Sequence, residues 1–128
     1  MAFANVWSKL ATVFYVLWGV LHIQAAYLVY QLGTTVTPSM TQGRLFQGAW
    51  NLFFFAISAI AVAIMLNKRN SKLGYFANLA IVSVTDVGFI MFVLLPGYLP
   101  LWPGLQGPLY WVLGLLFSTI ALRKEPAR

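Results

Sequence analysis

Long apolar runs dominate this chain and decide its fold. A helix crossing the hydrocarbon core of a bilayer needs about 20 apolar residues. Runs close to that length occur at about 10–32, 45–66, 73–95 and 106–122. The last is the shortest, and Pro108 suits its first turn, where a missing N–H costs nothing. Of the 128 residues 61% are hydrophobic and only 8% charged. A soluble domain carries roughly a quarter charged residues, because its surface must meet water. The chain therefore reads as an all-α membrane protein, a single four-transmembrane-helix bundle over residues 1–128. Its first run is longer than a signal-peptide core and no small-residue cleavage site follows, so it reads as a retained helix.

The connections fix an orientation. Lys9 precedes the first run, and Lys68, Arg69 and Lys72 lie in the second connection. Arg123, Lys124 and Arg128 follow the fourth run, and Arg44 alone falls on the other face. Basic residues concentrate on the cytoplasmic side of membrane proteins, so both termini are expected in the cytoplasm. The net charge of +6 would suggest nucleic acid in a soluble protein. Placed at the ends of apolar runs, it points to lipid headgroups, and nucleic acid is excluded as a partner. No cysteine is present, which excludes disulfides, thiolate metal sites and cysteine nucleophiles. The third connection, PGYLPLWPGLQGP, is rich in proline and glycine and reads as a lid-like outer loop over residues 96–107.

One acid interrupts the apolar pattern. Asp86 sits within FANLAIVSVTDVGFIMFVLL and is the only acidic side chain before the C-terminal tail. Ionisable groups at such depth are costly, face a bundle interior or wet cavity, and are functional by default. At a rise of about 1.5 Å per residue, His22 and Asp86 both lie about 13–15 Å below the outer boundary, with Ser118 at a similar depth. On the second run Arg44, Gln47 and Asn51 share one helical stripe. Tyr15 and Trp18 share a face with His22, and Phe89 shares one with Asp86.

These phases suggest a cavity open to the outer face. Arg44, Gln47 and Asn51 would form its mouth and His22 and Asp86 its floor, with walls from Tyr15, Trp18, Phe89 and Tyr110 and a contribution from Ser118. Each residue also has a plain structural reading. Asp86 and His22 could pair to fix helix packing, Arg44 could snorkel to the interface, and Gln47 and Asn51 could bond between helices. One histidine and one deep carboxylate are too few for a metal site, which takes three or four protein ligands, and no cofactor is implied.

In length, span count and a first helix carrying WGVLHIQ, the layout resembles small four-span bacterial membrane proteins such as the DoxX-like group. That resemblance implies a bacterial inner membrane. The chain is also similar in outline to small multidrug-resistance transporters. Those carry an essential acid on the first helix, where this chain has His22, and its own acid is on the third. No site residue is carried over from either group.

The expected function is a polar intramembrane pocket for a lipophilic molecule such as a lipid, isoprenoid or quinone. His22 and Asp86 would suit proton transfer, for example isomerisation, as general base and acid, although the residues leave catalysis open. Two alternatives stand beside it: an accessory subunit of a larger membrane complex or homo-oligomer, and a proton-coupled small-molecule transporter.

Overall fold

The computed structural model describes residues 3–124, and Arg128 of the charge pattern lies outside them. Helix α1 covers Val6–Thr34. It starts ahead of the apolar run because Asn5 and Ser8 cap each other's backbone N–H, each at 2.9 Å. Helix α2 covers Met40–Val62 from a Ser39 cap and continues through a wide π turn, Ala63–Asn67. Helix α3 covers Lys72–Phe89 from a Ser71 cap and likewise ends in a π turn, Ile90–Leu94. A single turn, α4 (Leu101–Gly104), stands where the sequence suggests only a loop. Helix α5 covers Gln106–Arg123. Among the described residues there is no strand.

Val6–Thr34, Met40–Asn67 and Lys72–Leu94 are long and apolar enough to cross a membrane. Only 28%, 22% and 22% of their apolar windows are buried, so most of each surface faces outward, as lipid contact requires. Helix α5 has 18 residues, with Gln106 at one end and Arg123 at the other diluting its hydropathy.

Helix α1 packs chiefly on α2 and α5, while α3 sits opposite and touches both of those flanks. Small residues allow the close approaches. A Cβ on Gly19 would lie 2.9 Å from the Ala56 carbonyl oxygen, so α1 meets the α2 backbone directly there. A Cβ on Gly114 would meet the Tyr15 ring at 2.8 Å. Tyr15, Trp18, Ala59, Ala63 and Val82 form the fully buried core. Polar side chains join the helices around it, since lipid gives an unpaired group no partner. Asn78 donates to the Ala59 carbonyl at 3.2 Å and to Asn67 Oδ1 at 2.8 Å. Trp111 donates to Ser83 at 2.8 Å, and the Tyr75 and Thr119 hydroxyls lie 3.0 Å apart.

Asn70 ties one end of the bundle. It adopts φ of 59°, a left-handed conformation that asparagine tolerates better than most residues. Its amide donates to the Phe3 carbonyl at 3.1 Å and to the Ala121 carbonyl at 2.9 Å. The start of α1, the α2–α3 turn and the finish of α5 therefore meet at one end. Lys9, Lys68, Arg69, Lys72, Arg123 and Lys124 are all exposed in these segments, so this is the basic end.

Candidate functional site

Two turns of α1 present Trp18 and His22, four residues apart, to the bundle axis, where Asp86 of α3 faces them. Asp86 is 0% exposed and His22 7%. Their side chains approach to 3.4 Å, His22 Nε2 to Asp86 Oδ1. The Trp18 indole N–H donates to the other carboxylate oxygen, Oδ2, at 3.0 Å. Trp18 and His22 also stack, with ring centroids 3.9 Å apart.

The hydrogen bonds determine where protons reside. His22 Nδ1 lies 2.7 Å from the Trp18 carbonyl oxygen. A carbonyl can only accept, so Nδ1 carries its hydrogen. Nε2 is then the nitrogen that faces Asp86. Were it bare and Asp86 ionised, two lone pairs would confront each other with nothing between them. A further proton, on the imidazole or on the carboxyl, would relieve that contact. Chemically such a pair can hold one proton between its members, and Trp18 contacts both, the carboxylate through its indole and the imidazole through its carbonyl.

Toward the end away from the basic one, the far end, α5 begins beside the dyad. Gly107, in the first turn of α5, lies against the imidazole: a Cβ there would stand 3.1 Å from His22 Cε1. Gly107 and Pro108 are buried. The segment read as a lid thus reaches the dyad through its last residue, as backbone.

The other candidate residues divide into two sets. Tyr15 is 0% exposed, and its hydroxyl makes no hydrogen bond. Ser118 of α5 is its polar neighbour, outside hydrogen-bonding geometry. Tyr110 is half-buried, 6.3 Å from Phe14 between ring centroids, with its hydroxyl taking a bond from Gln106. Phe89 is half-buried one turn beyond Asp86. Arg44, Gln47 and Asn51 lie apart from all of these. They are exposed, and Arg44 spends one N–H on Gln47 Oε1 at 2.8 Å.

The structure therefore corrects the expectation of one continuous cavity with these three at its mouth and the dyad at its floor. Their stripe is real, but it turns away from the bundle axis, because polar side chains near a helix end can reach the interface instead. Asn51 lines a groove of about 400 Å³ formed with Val29, Gly48, Leu52, Phe55, Val84 and Thr85. A larger groove of about 670 Å³ runs between α1 and α2, walled by aromatic residues including Tyr27, Tyr30, Phe46 and Trp50. Neither groove is lined by His22 or Asp86.

The sequence does not mark Asn67 and Asn70, which read as loop residues. Both are 4% exposed and bond across helices. Two asparagines within the hexapeptide NKRNSK are the one available signal. No group of three metal-ligating side chains occurs among the described residues. Compared with known proteins, the chain matches no family model, and no curated protein or solved structure is similar enough to count as a match. The likeness noted from the sequence stays one of layout.

Proposed function

We propose an integral membrane protein of four spans, both termini cytoplasmic, that binds a lipophilic molecule and holds an exchangeable proton at its centre. The fourth span in this reading is α5. It lies along α1, and at about 1.5 Å per residue its 18 residues reach about 27 Å. The exposed cations at the basic end support the orientation. A bacterial inner membrane is the setting this layout suggests.

The observation that carries the functional part is the His22–Asp86 contact at 3.4 Å, with Asp86 fully buried and His22 nearly so. An aspartate at the helix centre costs about 2.5–3.5 kcal/mol on insertion scales. Hydrogen bonds inside membrane bundles return on average only about 0.6 kcal/mol each. Two contacts to Asp86 do not offset that cost, so packing alone is a poor reason for the acid. Proton exchange is the chemistry that this pair of residue types supplies.

The Asn51 groove is the ligand position favoured by geometry. About 400 Å³ lies within the range of small-molecule sites. Arg44 and Gln47 lie on the same face of α2, and Thr85 in its wall directly precedes Asp86. Native mass spectrometry after mild extraction tests the idea: a co-purifying lipophile is expected, and Asn51→Phe, which fills the groove, should abolish it. Equal retention in that variant, or no lipophile at all, removes the ligand reading.

A second reading, an accessory subunit of a larger complex, has its own support. Phe53, Phe54 and Ile57 of α2 are exposed, as is Trp50 at 71%. The same mass measurement separates the two, since a subunit should leave the membrane with partner chains attached.

A further inference from the structure

We infer that the dyad exchanges its proton with one side of the membrane only, the side facing the basic end, along an internal file of polar groups and waters. The inference rests on the proton-holding dyad proposed above, and not on any ligand.

The first support is an asymmetry of the interior. Between the dyad and the basic end, each of the four long helices contributes a buried polar side chain: Ser8 and Thr12 on α1, Asn67 at the end of α2, Asn78 on α3 and Ser118 on α5. Beyond the dyad toward the far end, the buried residues are Ala26, Gly33, Ala49, Leu94, Gly107 and Pro108. None of these offers a side-chain donor or acceptor, and Gly107 packs on the imidazole. A proton moving through that half would find no fully buried hydrogen-bonding side chain, since Gln106 and Tyr110 there are only half-buried.

The second support is a set of three unmet polar atoms. Asp86 Oδ1, Tyr15 Oη and Asn78 Oδ1 are all buried with no hydrogen-bond partner. Buried polar groups are normally satisfied by protein or by ordered water. All three belong to residues in the core cluster or one turn from it. Asn78 and Asp86 lie eight residues apart on α3, about 12 Å along the axis. Val82, midway between them, packs in one cluster with Tyr15. A few internal waters, spaced about 2.8 Å from each oxygen they join, would satisfy all three and link them. Other titratable or charged side chains on the packed elements are Lys9, Tyr27 and Tyr30 on α1, Lys72 and Tyr75 on α3, and Tyr110 and Arg123 on α5, while α2 carries none between Arg44 and Lys68.

The step is a plain proton relay. A proton from water at the basic end passes from water to water beside Asn78 and Tyr15 and arrives between Asp86 Oδ1 and His22 Nε2. It leaves by the same route, and no oxidant or other reactant takes part.

The test uses the full chain in sealed proteoliposomes, oriented by capture through a C-terminal tag. Trp18 is kept as the single tryptophan by Trp7→Phe, Trp50→Phe, Trp102→Phe and Trp111→Phe. Its ring stacks on His22, and a protonated imidazole there quenches its emission. An acid jump on the basic-end side should lower the emission at once. The same jump on the other side should act only as the vesicle interior equilibrates. Tyr15→Phe is expected to slow the response roughly tenfold, the effect of about 1.4 kcal/mol on a barrier. Gln106→Leu, on the sealed side, should leave the response unchanged.

A prompt response to the far-side jump, or slowing by Gln106→Leu with none by Tyr15→Phe, overturns the one-sided route while leaving the dyad intact. A third outcome sinks both readings: no response from either side, with the 15N-histidine resonance of His22, the only histidine, also unmoved by pH.

Discussion

Asp86 is held by two groups of unequal quality, and the better one is Trp18. Its indole N–H meets Oδ2 at 3.0 Å, whereas the imidazole stands 3.4 Å from Oδ1. Replacing Trp18 by Phe keeps a ring in the core but strips Oδ2 of its donor. Leaving a buried acceptor unmet costs about 1–3 kcal/mol. Trp18→Phe should therefore lower unfolding stability in detergent by that amount, and by much less when Asp86 is already Leu. Equal losses in both backgrounds would show that the indole acts through packing alone. At this scale the sequence is partly informative. Counting residues puts His22 and Asp86 at one depth, because rise per residue is constant within a helix. It does not show that Trp18 reaches the carboxylate, since that depends on how α1 and α3 rotate toward each other across the bundle.

At the scale of elements, the helices were legible and their ends were not. Apolar runs locate α1, α2 and α3 because lipid demands length and hydrophobicity. The π turns closing α2 and α3 follow no apolar period, and the first of them carries Asn67 into the core to meet Asn78. The stripe of Arg44, Gln47 and Asn51 shows a different limit: periodicity identifies a face but not what that face meets. The α2–α3 turn gives a sharp prediction. Asn70 combines a positive φ with two cross-chain hydrogen bonds. Asn70→Gly keeps the backbone freedom and loses the bonds, while Asn70→Ala loses both. Both should lower thermal stability, Ala by about 1 kcal/mol more than Gly, the rough penalty for the left-handed conformation. Identical melting of the two variants would mean that the turn conformation carries no weight.

For the whole molecule, the charge pattern predicts an orientation, and the structure gathers the described basic residues other than Arg44 at one end. A chain without cysteine allows direct labelling to decide the rest. With four spans and cytoplasmic termini, Thr37→Cys and Leu99→Cys should react in intact cells with a thiol reagent that cannot cross membranes. Ala4→Cys and Lys124→Cys should react only after permeabilisation. If Lys124→Cys labels from outside while Ala4→Cys does not, α5 fails to cross and the bundle has three spans.

The α5 contact on His22 is made by main chain. Because Gly107 has no side chain to swing aside, that contact cannot loosen through a change of its rotamer. Widening it requires the opening turn of α5 to travel as a unit, and only Leu105 separates that turn from α4. Antibodies or crosslinks on the 96–107 segment are therefore a direct way to test whether that turn acts on the imidazole.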